Sequence, residues 1–284
     1  MPGHRVEDHY AGSSTGLEIA ARLLQALRVA HGTDVAINPE TLAPLDHVHG
    51  RGVRATQQLV DLLDPAPGES ILDIGSGIGG PARWIAMKFN CGVTGVDLTP
   101  AFCDAARALN IAAGMSDRVS IMHGSALDLP VPDASFDRAY SHNAVMNIAD
   151  KAAVYREAFR VIKPGGRLVL CHINAGSNGA GPNRPPEFPV PWAAVARNSF
   201  LATDAETSRD LAAAGFKILA FRDVSQANLA DGVAMRQRIE QQGLPPVGVH
   251  VLMGEQYQRC RMNAQRAAED GRTRAVEIVA QKPF

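Results

Sequence analysis

Aromatic residues are scarce in this sequence, 5% of 284 residues with two tryptophans and four tyrosines, and cysteine is scarcer still. The four cysteines, Cys91, Cys103, Cys171 and Cys260, form no CxxC pair. That spacing argues against a zinc knuckle and a disulfide framework and predicts reduced, mostly buried thiols. No run reaches the roughly eighteen apolar residues of a membrane-spanning helix. The opening Met1 to Tyr10 is polar and unlike a secretory signal, so a cytoplasmic protein without a membrane anchor is expected. No block of Lys and Arg is long enough to follow a phosphate backbone, and the formal net charge is only -1, so nucleic acid is not an expected partner. His47 and His49 share a segment but have no further ligands clustered around them. A loop contact is expected there, and no metal.

What is present is a hydrophobic fraction of 46%, enough for a full α/β core. Residues 1–64 carry helical spacing, with Leu17, Ile19, Ala20, Leu23, Leu24 and Leu27 in one segment and Val53, Leu59, Leu62 and Leu63 in another. They predict an N-terminal helical cap. After the turn-rich Asp64-Pro-Ala-Pro-Gly68, Ser70 to Ile74 reads as a buried strand running into glycines. Helices at 82–89, 101–113 and 151–161 then alternate with strands at 93–97, 119–122, 136–141 and 167–172, the pattern of a parallel sheet covered on both faces. This core is expected over residues 65–173. Residues 174–203 follow as a lid insertion, with five prolines between Asn174 and Trp192. Residues 204–284 complete the sheet through a helix at 204–214, a strand at 216–224, two polar-faced helices at 233–242 and 255–269, and a strand at 274–280.

The strongest motif is Asp73-Ile-Gly75-Ser-Gly77-Ile-Gly79-Gly80-Pro-Ala-Arg83, between a strand and a helix. Glycines there permit a tight turn and close approach of a ligand, and the amides at the helix start favour an anionic group. Asp97 follows Gly75 by 22 positions at the end of the next strand, where an acid binds two ribose hydroxyls. Nicotinamide and flavin enzymes carry such glycines too, so the surrounding residues have to decide.

Those surroundings are Ile71 to Arg83, Val93 to Leu98, Phe136 to Tyr140, Met146 to Ile148, and Arg160 to Leu168 with its Lys163-Pro-Gly-Gly166 turn. Together they span roughly residues 45–172 and resemble the class I S-adenosylmethionine-dependent methyltransferases. The branch resembled acts on small molecules and includes sarcosine, dimethylglycine, sterol and tocopherol methyltransferases. The resemblance implies a Rossmann-like, seven-stranded, mostly parallel sheet with flanking helices and one antiparallel strand near the C-terminal end. S-adenosyl-L-methionine is the implied cofactor, with Gly75, Ser76 and Gly77 lining it, Asp73 facing its ammonium, and Asp97 and Leu98 holding ribose and adenine. Ser125 and Ala126 would flank the adenine. Relatives commonly have an acid where Ser125 stands, so either Ser125 or Asp128 takes that role. Ser141, His142 and Asn143 would lie beside the transferable methyl, and the cap would bring Tyr10 and His49 near it.

In-line displacement asks the protein mainly to align an acceptor and exclude water. An amine acceptor, slightly favoured, must lose a proton, for which His142 and then Tyr10 are candidates. His142 is equally readable as a packed or capping histidine. The alternative is methylation of an isoprenoid or sterol-like alkene through a carbocation, which aromatic faces would stabilise. Asn143, Met146, Phe188, Trp192 and Phe200 are the candidate acceptor contacts, Trp192 alternatively anchoring the lid. A diphosphate would need cations, for which Arg51, Arg184 and Arg197 are available. Two other classes compete: a nicotinamide oxidoreductase, against which stands the lack of a Tyr-x-x-x-Lys pair, and a cofactor-binding module without turnover. A homodimer is allowed for, and nothing in the sequence decides it.

Overall fold

The computed structural model describes residues 14–177 and 184–284. Its first helices are α1 (Gly16–His31), α2 (Pro39–Asp46) and α3 (Val53–Leu63). Thr15 and Glu18 close a capping box at the start of α1, and Asn38 and Thr41 do the same for α2. Leu23, Leu27, Leu42 and Leu45 are buried together with Phe102 and Ile78, while Leu17 faces solvent on the opposite side of α1. Helix α3 packs elsewhere. Its Leu59, Val60 and Leu63 bury against Ile71, Tyr140 and Val169, so it covers a face of the sheet.

The core continues as β1 (Ser70–Ile74), α4 (Gly80–Phe89), β2 (Gly92–Asp97), α5 (Pro100–Ala112), β3 (Val119–His123), β4 (Phe136–His142), α6 (Lys151–Val161) and β5 (Ile162–Ala175). It closes with α7 (Asp204–Ala213), β6 (Lys217–Asp223), α8 (Ser225–Gln242), α9 (His250–Met253), α10 (Tyr257–Glu269) and β7 (Thr273–Gln281). The seven strands are ordered β3-β2-β1-β4-β5-β7-β6. Strands β1 to β5 are parallel, and β7 runs antiparallel to both β5 and β6. This is the Rossmann-like, mostly parallel sheet expected. One difference concerns Lys163-Pro-Gly-Gly166, expected as a turn: the chain leaves α6 straight into β5, and Phe136 pairs Ile162 before the register shifts to Arg138 opposite Arg167. Gly165, at φ 77°, takes up the irregularity. Helix α8 begins eight residues earlier than the expected 233, and none of its residues is buried.

Two contacts fix the sheet's working end. A Cβ at Gly75 (φ 82°) would lie 2.3 Å from Ala144 Cβ, so the turn after β1 and the turn after β4 touch only because residue 75 is glycine. A Cβ at Gly80 would lie 2.3 Å from the Asp46 carbonyl oxygen, which seats the end of α2 on the start of α4. All four cysteines are free and buried. Among the described residues no helix is long and apolar enough to cross a membrane.

Candidate functional site

The glycine turn is held by the strand beside it. Gly75 and Ser76 donate their N–H groups to the Val96 carbonyl at 2.8 and 3.1 Å, reversing the chain over the end of β2. Gly77 N–H then donates to Asp97 Oδ2 at 2.7 Å, and Thr99 N–H to Asp97 Oδ1 at 2.9 Å. Burial raises the Asp97 carboxyl above its ordinary range. Asp97 is half-buried and Asp73 fully so; Asp73 Oδ2 accepts from Tyr140 OH at 2.8 Å. Burial, helped by the charge of Asp97, pushes Asp73 up to about 7 against that hydrogen bond. Among the described residues, buried Ser76 Oγ has no hydrogen-bond partner and a Cβ at Gly77 would meet nothing within 4 Å. A buried acid, a half-buried acid, an unused hydroxyl and open space therefore converge on one turn.

That turn forms one wall of a cavity of about 560 Å³. Asp73, Gly75, Ser76, Gly77, Asp97, Leu98, Ser125, Ala126, His142, Asn143, Met146, Trp192 and His49 all line it. Ser125 Oγ already accepts from Leu127 N–H at 3.1 Å, and Asp128, the alternative partner for an adenine, stands outside the lining. Ser141 also stands outside: its Oγ donates to the Ile74 carbonyl at 2.7 Å and ties β4 to β1. Phe188 packs behind Trp192 and Met146 without reaching the cavity. Phe200 is 37% exposed, because its backbone holds it from behind: its N–H donates to the Met146 carbonyl at 2.8 Å and its carbonyl accepts from Lys151 Nζ. Trp192 both anchors and lines, donating Nε1–H to Ser199 Oγ at 2.9 Å. Arg184 and Arg197 are exposed and away from the cavity. Tyr10 lies outside the described residues.

His142, the last residue of β4, stacks on His49 with ring centroids 3.7 Å apart and planes at 19°. His49 Nδ1–H donates to the Gly50 carbonyl at 3.3 Å, which leaves Nε2 to accept from Thr56 Oγ1 at 3.2 Å. Burial, with His47 and Arg51 adjacent, pushes His49 down to about 3. Burial, with His49, His47 and Arg51 adjacent, holds His142 well below the ordinary histidine range, and its Nδ1 is buried with no partner among the described residues. The pair is neutral, in surroundings that resist an imidazolium. Nearby, the buried Asp46 carboxylate accepts from His47 Nδ1 and Arg83 Nη2, both at 2.9 Å. Burial opposes its charge, but those two partners bring Asp46 below its usual range. Among the described residues no group of three or more His, Cys, Asp and Glu side chains could hold a metal ion.

Apart from Arg51, offered as a cation for a diphosphate and here committed to partners in the chain, sequence reasoning passed over the far side of the cavity. Arg51 (φ 72°) reaches from the cap segment to α8, with Nε on Asp231 Oδ2 at 2.8 Å, Nη1 on Asn228 Oδ1 at 2.9 Å, and Nη2 on Gln58 Oε1. Helices α8 and α10 contribute Asn228, Gly232, Arg261, Ala264 and Gln265, and β7 contributes Glu277. His142, Cys171 and Glu277 lie opposite one another on three adjacent strands, so their side chains leave the same face of the sheet. Burial and the neighbouring Glu277 push the Cys171 thiol up, leaving it protonated. The available signal was an acid inside the otherwise apolar Ala275-Val-Glu-Ile-Val279.

Residues 72–170 match a family model described as a methyltransferase domain. These residues are a methyltransferase domain. The domain holds the glycine turn, Asp97, His142 and the strands that carry them. Methyltransferase GfsG of Streptomyces halstedii is 37% identical over 136 residues, 48% of each chain. The 24-methylenesterol C-methyltransferase 2 of Oryza sativa subsp. japonica is 42% identical over 113 residues, 40% of this chain and 31% of that one. This chain thus spans half or less of the curated relatives it matches first. Among solved structures, phosphoethanolamine N-methyltransferase 2 of Haemonchus contortus superposes with a TM-score of 0.72 at 19% identity, over 100% of this chain and 61% of the other. Geranyl diphosphate C-methyltransferase of Streptomyces coelicolor A3(2) superposes with a TM-score of 0.69 at 16% identity over 99% of both chains. These likenesses establish the fold around the methyltransferase domain.

Proposed function

We propose that the chain is an S-adenosylmethionine-dependent methyltransferase acting on a small molecule held between the sheet end, α8 and α10. The observation that carries this is the pair of acids, buried Asp73 and half-buried Asp97, on either side of a glycine turn that opens into one continuous cavity. The residues fit the cofactor. An ammonium beside Asp73 would keep that carboxyl ionised, Asp97 suits two vicinal hydroxyls, and Leu98 with Ala126 offers apolar surface to a base. When bound, S-adenosylmethionine supplies a methyl group already made electrophilic by its sulfonium.

The chain's own contribution is alignment and exclusion of water. Trp192, Met146 and Asn143 shape the acceptor side. The cap segment, with His49 over His142 and Arg51 locked to α8, forms the roof, and Trp192 carries the lid. A heteroatom acceptor, amine nitrogen first, is the reading we favour over an alkene carbon, because the far wall is charged and Phe188 and Phe200 stand away from the cavity. In this reading His142 packs against the acceptor and does not store its proton.

The test is calorimetric titration with S-adenosylmethionine and NADH, followed by transfer of labelled methyl to panels of small amines and of prenyl and sterol acceptors. Binding of S-adenosylmethionine and label on nitrogen is the expected result. Label on carbon would move the proposal to the carbocation route, and binding of NADH alone would overturn it.

A further inference from the structure

The geometry points to a dipolar acceptor, one that presents a carboxylate or phosphate oxyanion to Arg261 and an N–H or O–H group to Glu277. This rests on the methyl-transfer reading and names the substrate class of the same cavity.

Arg261 projects from α10 into the cavity lining, and both its Nε and its Nη1 are shielded from solvent with no hydrogen-bond partner among the described residues. Glu277 lies on β7 in the same lining, 8% exposed, and it too has no hydrogen bond or ion pair among the described residues. The two are not within ion-pair distance of each other, although opposite charges sharing one cavity would gain by meeting. Two other shielded arginines have carboxylate partners within the chain. Arg83 is matched by Asp46 and Asn110, and Arg51 by Asp231 and Asn228. A guanidinium with two shielded nitrogens and no partner among the described residues is costly, as is a carboxylate on the cavity wall with no cation beside it, and a ligand of complementary charge offsets both.

The chemistry of the ligand follows from the two groups. A planar guanidinium presents paired N–H donors, Nε with Nη2 or Nη1 with Nη2, that match the two oxygens of a carboxylate or a phosphate. A carboxylate accepts hydrogen bonds and donates none, so the group at Glu277 carries a proton. Glu277 stands two strands from His142, and neighbouring strands are about 4.8 Å apart, so the polar groups of the acceptor are separated along the row from the turn that meets the cofactor.

The test uses Arg261→Met, Arg261→Lys and Glu277→Gln in the full chain. Without any acceptor, Arg261→Met is expected to leave the melting temperature unchanged or raise it by about 2–4 °C, since an unmatched shielded charge is removed. A fall would mean that Arg261 supports the fold, and would overturn the proposal. With S-adenosylhomocysteine bound, matched probes are titrated by calorimetry: phosphoethanolamine against ethanolamine, sarcosine against its methyl ester. At least one oxyanion-bearing member should bind roughly tenfold or more tightly than its neutral partner, and Arg261→Met should abolish the preference while Arg261→Lys keeps part of it. The phosphate and carboxylate pairs tell the two oxyanions apart. Glu277→Gln should weaken the same probe without changing S-adenosylhomocysteine affinity. No preference in either pair overturns the proposal. Failure of S-adenosylhomocysteine to bind would instead count against the methyl-transfer reading, and the melting arm would still test Arg261.

Discussion

Two shielded arginines stand in contrasting surroundings. Arg83, fully buried where α4 meets the cap, donates Nη2 to Asp46 Oδ2 at 2.9 Å and to the Ile78 carbonyl at 2.7 Å, and Nη1 to Asn110 Oδ1 at 2.7 Å. Arg261 on the cavity's far wall has two shielded nitrogens with no partner for either among the described residues. The two terminal nitrogens of the first are matched by carboxylate, amide and carbonyl groups of the chain, only Nε lacking a partner among the described residues, and they join α2, α4 and α5. The second is complete only with something from outside. Internal satisfaction of a buried charge marks scaffold, and its lack in a cavity wall marks a site.

The contrast can be broken most forcefully at Asp46. Asp46→Ala strands Arg83 without its carboxylate and should cost about 3–5 kcal/mol of stability in urea titration; a variant as stable as the parent would dissolve the distinction. Next is Asp73, which ionises near 7 in the folded chain and at the ordinary 3.8 when free. Between those values the folded state binds more protons than the unfolded one, so the ligand-free protein should lose stability as pH rises from about 4 to about 7. The loss is at most about 4 kcal/mol, and Asp73→Asn should flatten it. Cofactor affinity should move the other way, rising through the same window as the carboxylate forms to meet an ammonium. Asp97→Ala should lower S-adenosylmethionine affinity by about a hundredfold, from two lost charge-assisted hydrogen bonds, with the circular dichroism spectrum retained. An unchanged dissociation constant would remove the ribose assignment. The smallest effect is expected at Ser125, whose oxygen is committed to Leu127: Ser125→Ala should change cofactor affinity by less than about threefold.

The cofactor half of the cavity was legible because its requirements are local. Gly75 and Gly79 need positive φ, Asp97 must end a strand, and alternating apolar segments declare the sheet. The acceptor half is assembled from distant pieces whose local pattern is uninformative. Helix α8 buries none of its residues and so shows no apolar stripe, yet Asn228 and Gly232 roof the site. Arg261 sits on a helix rich in charged and amide side chains, where an arginine ordinarily reads as solvated surface. Phe188 and Phe200 misled for the opposite reason, since aromatics near a proline-rich segment invite a substrate role while backbone anchoring of Phe200 turns its ring outward. The resemblance placed His142 at the cavity, but only the stacked His49 and the adjacent Arg51 show how poorly that ring would accept a proton.

The antiparallel β7 carries a consequence for biosynthesis. Among the described residues strand β6 pairs with β7 alone, and β7 separates it from β5. While a nascent polypeptide has not yet delivered residues 273–281 from the ribosome, β5 and β6 both present raw edges, the templates on which chains aggregate. The segment that seals those edges also brings Glu277. Premature termination upstream of it would therefore leave a sticky product without its acceptor carboxylate, one recognisable to chaperones and proteases before it could sequester cofactor.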